Sequence, residues 1–323
     1  MSRLIGLALV CSLAALGCGD DAGAIAPEDE DPRASETDDE EDDDSSMRDA
    51  GSRIDGGIAV VTTRPDAGKP DAASPATPAA PDTPKLLPRC VKKPTQVMII
   101  GDSYINWITH TFHADLQAAS GQKGWRFEAL GGTSIGSGGA FTPIPKQFDE
   151  SLARDPDVHT VVMDGGGNDV LVASPEIDPE AKCKNDAKSP TLPECQKIVQ
   201  IALKAGEDLM NRAAKAGVRD VVYFFYPEVP EGTLIGGAHP NAINAYALPK
   251  TRAMCEEAVQ RTDGKLRCHF VDLVPVFAGH DDWFFPADIH PNSKGSKAMA
   301  DVVWKTMKDA CVGQPASSGC CEP

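Results

Sequence analysis

Five short apolar segments recur between residues 96 and 273, and their spacing constrains the fold more than any other feature of the sequence. They comprise residues 96–100, 126–130, 160–163, 220–225 and 269–273, and they are bounded by Gly, Pro and Asp. Between them, residues 105–119, 195–216, 248–260 and 296–307 carry apolar side chains at helical spacing. Strands that alternate with helices predict an α/β fold in which helices cover both faces of a parallel sheet.

Polar, glycine-rich turns follow several of these predicted strands. They occupy residues 101–104, 131–134 and 165–169, and a further polar segment at residues 288–292 precedes the last predicted helix. In an open parallel sheet the ligand crevice lies beyond the carboxyl ends of the strands. We therefore expect these four segments to meet at one edge of the sheet and to form the functional site.

The residues in these turns suit acyl transfer. A serine hydroxyl attacks an ester only when a base removes its proton and hydrogen-bond donors hold the oxyanion that forms. Ser103 lies at a strand-to-helix turn, and His290 lies on the loop that enters the last helix. We predict Ser103 as nucleophile, His290 as base, and the backbone N–H groups of Ser103 and Gly132 with the Asn168 amide as the oxyanion hole.

These segments also resemble the four signature blocks of the SGNH, or GDSL-type, hydrolases, in the same order. The matching residues are Gly101-Asp102-Ser103, Gly132, Gly166-Gly167-Asn168-Asp169 and His290-Pro291. The resemblance covers about residues 95–311. It implies a flavodoxin-like three-layer α/β/α sandwich with a five-stranded parallel sheet, and ester hydrolysis through an acyl-enzyme without a metal or other cofactor.

The last block departs from the family pattern. The family has an Asp three residues before the His, whereas this chain has Ala287 there and Asp288 two residues before His290. Three alternatives follow: Asp288 still orients the imidazole, Asp281 or Asp282 replaces it, or the site works as a Ser-His dyad. We predict Asp288 as the third catalytic residue.

A rival nucleophile lies in the second turn. Gly132-Thr133-Ser134-Ile135-Gly136 fits the G-x-S-x-G elbow of α/β-hydrolases. That elbow normally follows several strands, but only one strand-helix unit precedes Ser134, so we interpret the segment as an oxyanion loop. Either Gly132 or Gly136 supplies its donor, and we prefer Gly132 because it lies directly after the strand.

Two histidines and three aromatic side chains lie outside the predicted catalytic roles. His110 and His113 lie one turn apart on a predicted helix, and without a third ligand we expect a surface or packing role rather than a metal site. Trp107, Tyr226 and Phe285 are the aromatic candidates for walls of the substrate pocket.

The N-terminus predicts export. Residues 1–18 read as a signal peptide, since the apolar run is shorter than the roughly 18 residues that span a bilayer. Ala15-Leu16-Gly17-Cys18 resembles a bacterial lipobox, which implies lipidation at Cys18 and a lipid anchor in the membrane. We expect an outer-membrane lipoprotein of the bacterial cell envelope or an extracellular protein.

A linker is predicted between this anchor and the hydrolase domain. Residues 19–89 carry 19 acidic and 7 basic residues, with an acidic first half and a Pro/Ala-rich second half. Such a composition buries too little apolar surface to fold. We predict a disordered linker over 19–89, a hydrolase domain over 90–312 and a Cys-containing tail over 313–323; the mild acidity of the domain argues against nucleic acid as a partner.

Eight cysteines follow Cys18, an even number that favours disulfides in an exported chain. Cys183 with Cys195, and Cys255 with Cys268, are the simplest local pairs, each worth roughly 3 kcal/mol on a chain-entropy model. The remaining four are expected to staple the two ends of the domain; they are Cys90, Cys311, Cys320 and Cys321.

The substrate is the least constrained feature. We expect a monomeric carboxylesterase that cleaves short acyl esters such as acetyl groups on a polysaccharide or a similar small molecule. A lipase or thioesterase acting on longer acyl chains, favoured by an extended apolar channel, is one alternative. A non-catalytic carbohydrate-binding surface lipoprotein is the other.

Overall fold

The computed structural model describes residues 90–107, 112–136, 142–171, 183, 191–233 and 238–320. The predicted signal peptide, Cys18 and the linker over 19–89 lie outside these residues, as do His110 and Cys321. Among the described residues, no helix is long and apolar enough to cross a membrane.

A five-stranded parallel sheet forms the centre of the described fold, in the order β2-β1-β3-β4-β5. Its strands are β1 Val97–Ile100, β2 Arg126–Phe127, β3 Thr160–Met163, β4 Asp220–Phe225 and β5 Arg267–Asp272. Every residue of β1, β3 and β4 is buried, as expected for strands covered on both faces. The α/β class predicted from the sequence is confirmed.

Helices lie on both faces of this sheet. They are α1 Phe112–Ser120, α2 Ile144–Arg154, α3 Gly167–Leu171, α4 Pro193–Lys215, α5 Ala238–Glu256, α6 Ala258–Arg261, α7 Val274–Phe277 and α8 Ser293–Asp309. Single turns of 3-10 helix occupy Pro94–Gln96, Asp281–Trp283 and Ala316–Ser318.

Alternation along the strands divides the core into two layers. Successive side chains of a strand point to opposite faces. In β1, Met98 and Ile100 pack with α2, α4 and α5, whereas Ile99 packs with α1 and α8. The three-layer α/β/α arrangement predicted from the sequence is therefore confirmed.

Some predicted element boundaries were wrong. Helix α2 was not predicted, although its buried residues Ile144, Phe148 and Ser151 lie on one side of the helix. Helix α5 begins ten residues before the predicted start at residue 248 and continues through Pro249. Pro favours the first turn of a helix, but burial of Ile243 and Ala247 against the sheet extends the helix before it.

Three disulfides link described residues. Cys183–Cys195 and Cys255–Cys268 form as predicted. The prediction for Cys311 and Cys320 was wrong, because they pair with each other within the C-terminal segment rather than joining it to the other end of the domain. The two ends of the domain do meet through the backbone, because Val91 N donates to Gln314 O over 2.9 Å.

Candidate active site

The nucleophile turn follows β1 directly and is held by buried polar groups. A Cβ on Gly101, whose φ is +148°, would lie 1.9 Å from Asp164 Oδ1, so only glycine fits here. Gln147 of α2 accepts a hydrogen bond from Gly101 N at 2.9 Å and donates one to Gly101 O at 3.0 Å. These contacts fix the backbone that presents Ser103.

Ser103, His290 and Asp288 form a continuous chain of hydrogen bonds. Ser103 Oγ lies 2.8 Å from His290 Nε2, and His290 Nδ1 lies 2.7 Å from Asp288 Oδ1. With the imidazole neutral, Nδ1–H donates to the carboxylate and Nε2 accepts the serine proton. Ser103 and His290 are each 7% exposed, so little water competes for these bonds.

The structure also shows how Asp288 reaches the ring from a shifted position. Ala287 has a φ of +58°, a left-handed conformation that non-glycine residues rarely adopt. The turn brings Asp288 Oδ1 to His290 N at 3.2 Å as well as to the ring. Of the three alternatives left open by the sequence, the described geometry matches the one in which Asp288 contacts the imidazole.

Electrostatics keep this carboxylate ionised. Burial raises the pKa of Asp288, but the hydrogen bond from the His290 ring and those from the backbone N–H groups of His290 and Ile289 outweigh burial and lower the pKa below the ordinary value. The Trp107 indole stacks on a face of the imidazole with ring centroids 3.9 Å apart and an interplanar angle of 9°. The His290 ring is thus contacted by a carboxylate at its Nδ1 edge and by an aromatic ring on one face.

Asn168 lines the cleft that contains Ser103, and the loop that carries Gly132 runs next to Ser103. Asn168 is at the start of α3, and its Nδ2 donates to Thr133 O over 2.7 Å; an amide nitrogen carries a second hydrogen. Gly131 brings the neighbouring loop close, since a Cβ there would lie 3.7 Å from Ser103 Cβ. Gly132 follows it with a φ of +78°.

Asp169 contacts the loop that carries the two candidate glycines, Gly132 and Gly136. Its carboxylate accepts hydrogen bonds from Ile135 N at 2.9 Å and Gly136 N at 2.7 Å. Gly136 N–H is therefore engaged in holding the loop, which favours Gly132 as the backbone donor.

Two tyrosines connect the turns that carry the site. Tyr226 Oη donates to Asp102 Oδ2 at 2.5 Å and accepts from Gly167 N at 3.0 Å. Tyr104 Oη donates to Ile289 O at 2.6 Å, beside His290. The relative positions of the serine, asparagine and histidine segments thus depend on phenol hydrogen bonds.

Asp164 is a buried residue of the site that sequence reasoning missed. It follows β3, is 0% exposed, and accepts a hydrogen bond from Asp102 N at 2.7 Å. Burial, and then the negative charge of Asp102, raise the pKa of Asp164 well above its usual value. Its signal in the sequence is an acidic residue that lies directly between an apolar strand and three glycines.

Other candidates lie elsewhere. Ser134 is 1% exposed in the core, while Ser103 contacts His290. Asp281 is exposed, and Asp282 pairs with Lys294 at 2.8 Å. His113 stacks on Phe127, with ring centroids 4.5 Å apart.

The aromatic candidates have separate positions. Tyr226 lines the cleft that contains Ser103, whereas Phe285 lines a second pocket next to Asp288. Trp107 stacks on the base.

This arrangement is able to carry out acyl transfer. It combines a serine hydroxyl that is hydrogen-bonded to a histidine, a carboxylate that is hydrogen-bonded to the same histidine, and the predicted donors for an oxyanion. Within the described part of the chain, no group of three or more His, Cys, Asp or Glu residues is arranged to hold a metal ion.

Comparison with solved structures finds distant similarities. An extracellular lipase from Streptomyces rimosus is 17% identical, with 65% of this chain and 98% of that chain covered and a TM-score of 0.47. A carbohydrate acetylesterase family member from Sinorhizobium meliloti is 16% identical, with coverages of 68% and 98% and a TM-score of 0.47. No curated protein matches the chain.

A family model gives the assignment. The GDSL-like Lipase/Acylhydrolase family matches residues 99–298, which include all four turns of the site. The chain is an ester-hydrolysing enzyme, and it belongs to the GDSL-like lipase/acylhydrolase family.

Proposed function

We propose that this enzyme is a serine carboxylesterase that works through an acyl-enzyme on Ser103. The observation that carries the proposal is the hydrogen-bonded chain from Ser103 Oγ through His290 to Asp288, with distances of 2.8 and 2.7 Å. A chain of this kind gives a serine the base that it needs for attack. It also argues against the non-catalytic alternative, because a binding protein has no need of an aligned nucleophile and base.

The proposed reaction has two halves. Ser103 Oγ bonds to the ester carbonyl carbon while its proton passes to His290 Nε2; the carbon–oxygen bond to the alcohol then breaks and the alcohol leaves with that proton. A water molecule next gives a proton to His290 and bonds to the acyl carbon; the bond from that carbon to Ser103 Oγ then breaks, the proton passes from His290 to Ser103 Oγ, and the carboxylic acid leaves. Asp288 stabilises the imidazolium formed in each half.

The oxyanion that forms in each half needs donors in place before the reaction. We assign this role to Ser103 N–H, Gly132 N–H and Asn168 Nδ2–H. Removing one such donor from a preorganised hole typically costs about 10²–10³ in kcat. We expect Asn168→Ala to show a loss in this range, with a smaller effect on KM.

The test is hydrolysis of p-nitrophenyl acetate, butyrate and octanoate by the purified chain. We expect Ser103→Ala to lower kcat by at least about 10³-fold, while the control Ser134→Ala stays within a few-fold of wild type. Retained activity in Ser103→Ala, or loss only in Ser134→Ala, would contradict the proposal.

Two substrate classes remain under this mechanism. Short acyl esters, such as acetyl groups on a polysaccharide, are the class expected from the sequence. The longer-chain alternative is favoured by one observation, an apolar cleft that contains Ser103.

We also propose that the enzyme is exported and held at the bacterial cell envelope through Cys18. Three disulfides among the described residues support export, since such bonds persist in oxidising compartments. Fractionation of cells tests the anchor: the wild type is expected with membranes and Cys18→Ala in the soluble fraction. Equal partition of the two would contradict lipidation.

A further inference from the structure

We propose that the cleft beside Ser103 binds the acyl chain of the substrate, so that the enzyme prefers medium-length linear acyl groups to acetate. This proposal rests on the serine-esterase function proposed above. The cleft has an empty volume of about 860 Å³, which includes space open to solvent. Ser103, Asn168 and Ile289 lie at its catalytic end.

Apolar side chains form most of the cleft away from Ser103. They come from the loop after β2, from α3, from α4 and from α5, and they pack over the end of β4. These residues are Ile135, Val170, Leu171, Val199, Ala202, Leu203, Ile243, Ala247, Met254 and Phe225. An acyl chain placed among them leaves water for an apolar surface, a gain of about four-fold in binding for each methylene group buried.

Three polar side chains that border the cleft away from Ser103 direct their donor hydrogens into the protein. Tyr223 Oη donates to Gly165 O at 2.6 Å, and Thr251 Oγ1 donates to Ala247 O at 3.1 Å. Asn244 Nδ2 donates to two backbone carbonyls. A sugar ring would need partners for its hydroxyl groups here, whereas a hydrocarbon chain needs none.

Met254 lines the cleft and reaches from α5 to α4, where a Cβ on Gly206 would lie 2.8 Å from Met254 Sδ. Because Met254 fills the space between these two helices, we expect it to limit how far an acyl chain can enter. We therefore expect a maximum in the chain-length profile rather than a continuous rise.

The experiment is a chain-length series with the purified full chain and p-nitrophenyl acetate, butyrate, hexanoate, octanoate and palmitate, each below its micelle concentration. For wild type we expect kcat/KM for octanoate to exceed that for acetate by at least about ten-fold. We expect palmitate to be poorer than octanoate, because Met254 is expected to limit how far the chain can enter.

Two variants that change the volume of the cleft in opposite directions test whether it binds the acyl chain, and a third variant outside the cleft is the control. Ala202→Leu fills the cleft from α4 and should lower kcat/KM for octanoate about ten-fold while sparing acetate. Leu203→Ala enlarges it and should move the maximum to a longer chain. Ala214→Leu adds the same bulk to another half-buried alanine of α4 outside the cleft and should leave the profile unchanged.

The outcomes separate this proposal from the function on which it rests. A profile that peaks at acetate, with activity still abolished in Ser103→Ala, would overturn the acyl cleft and leave the serine esterase standing. A profile that Ala202→Leu and Ala214→Leu change equally would also overturn it, because the cleft would then not select the chain. Ser103-independent hydrolysis would overturn both.

Discussion

Removing the Asp288 carboxylate is the perturbation that most sharply separates a triad from a dyad. Asp288 Oδ1 accepts from His290 Nδ1 at 2.7 Å and from His290 N at 3.2 Å. Asp288→Ala deletes both contacts, leaves Nδ1 without its acceptor and removes a charge beside the imidazolium. Asp288→Ala therefore destabilises mainly the transition state, in which the imidazolium forms.

The expected loss in kcat depends on how far the Asp288 carboxylate is buried. A fully buried orienting carboxylate contributes up to about 10⁴ in turnover. The Asp288 side chain is 31% exposed, so water partly screens its charge and partly replaces it after mutation. We expect a loss of about 10²–10³ in kcat, which corresponds to about 3–4 kcal/mol, with KM changed less than three-fold.

The assay is steady-state hydrolysis of p-nitrophenyl butyrate, with two comparison variants. Asp288→Asn keeps the side-chain volume but not the charge. We expect its kcat to be close to that of Asp288→Ala. The double variant Asp288→Ala/Ala287→Asp returns the carboxylate to the position that the family uses, and Ala287 is exposed in this turn. We expect no rescue; a loss below three-fold in Asp288→Ala, or full rescue by the double variant, would refute the geometry described here.

Three further changes test the surroundings of the site. Tyr226→Phe leaves Gly167 N without its acceptor, so we expect unfolding by urea to show a loss of about 1–3 kcal/mol; an unchanged midpoint would contradict the bracing role. Trp107→Leu removes the aromatic face that stacks on the imidazolium, a contact worth roughly 0.5–2 kcal/mol, so kcat/KM should fall about 2- to 30-fold. The fall in kcat/KM should be smaller for Trp107→Phe, which keeps an aromatic ring. The raised pKa of Asp164 means that its stabilising contribution is complete below pH 3.8 and is lost as pH rises toward the folded-state pKa. Urea unfolding should show Asp164→Asn gaining stability over wild type between about pH 4 and neutrality, and a pH-independent difference would contradict this.

The central fold was predictable because its signals are local. The buried strands read as continuous apolar runs, and β3 and β4 have the predicted boundaries. Ser103, Asn168 and His290 were predicted as site residues because each lies in a polar turn at a strand or helix end. Spacing along the chain was enough to place them at one edge of the sheet.

Other parts of the site depend on contacts between distant segments. Nothing near Asp288 in the sequence indicates that Ala287 adopts a left-handed conformation, yet that turn aims the carboxylate. The bond from Tyr226 to Asp102 joins residues 124 positions apart. The cleft likewise exists only where α4 and α5 pack over β4, so the sequence did not reveal it.

A covalent label that reacts only with an activated serine would show directly whether Ser103 is the nucleophile. The purified chain would be treated with a fluorophosphonate, digested and analysed by mass spectrometry, with His290→Ala as the control for activation of the nucleophile. We predict one adduct, on the peptide that carries Ser103, and much slower labelling in His290→Ala. An adduct on Ser134, or a Ser103 that reacts equally fast without His290, would contradict it.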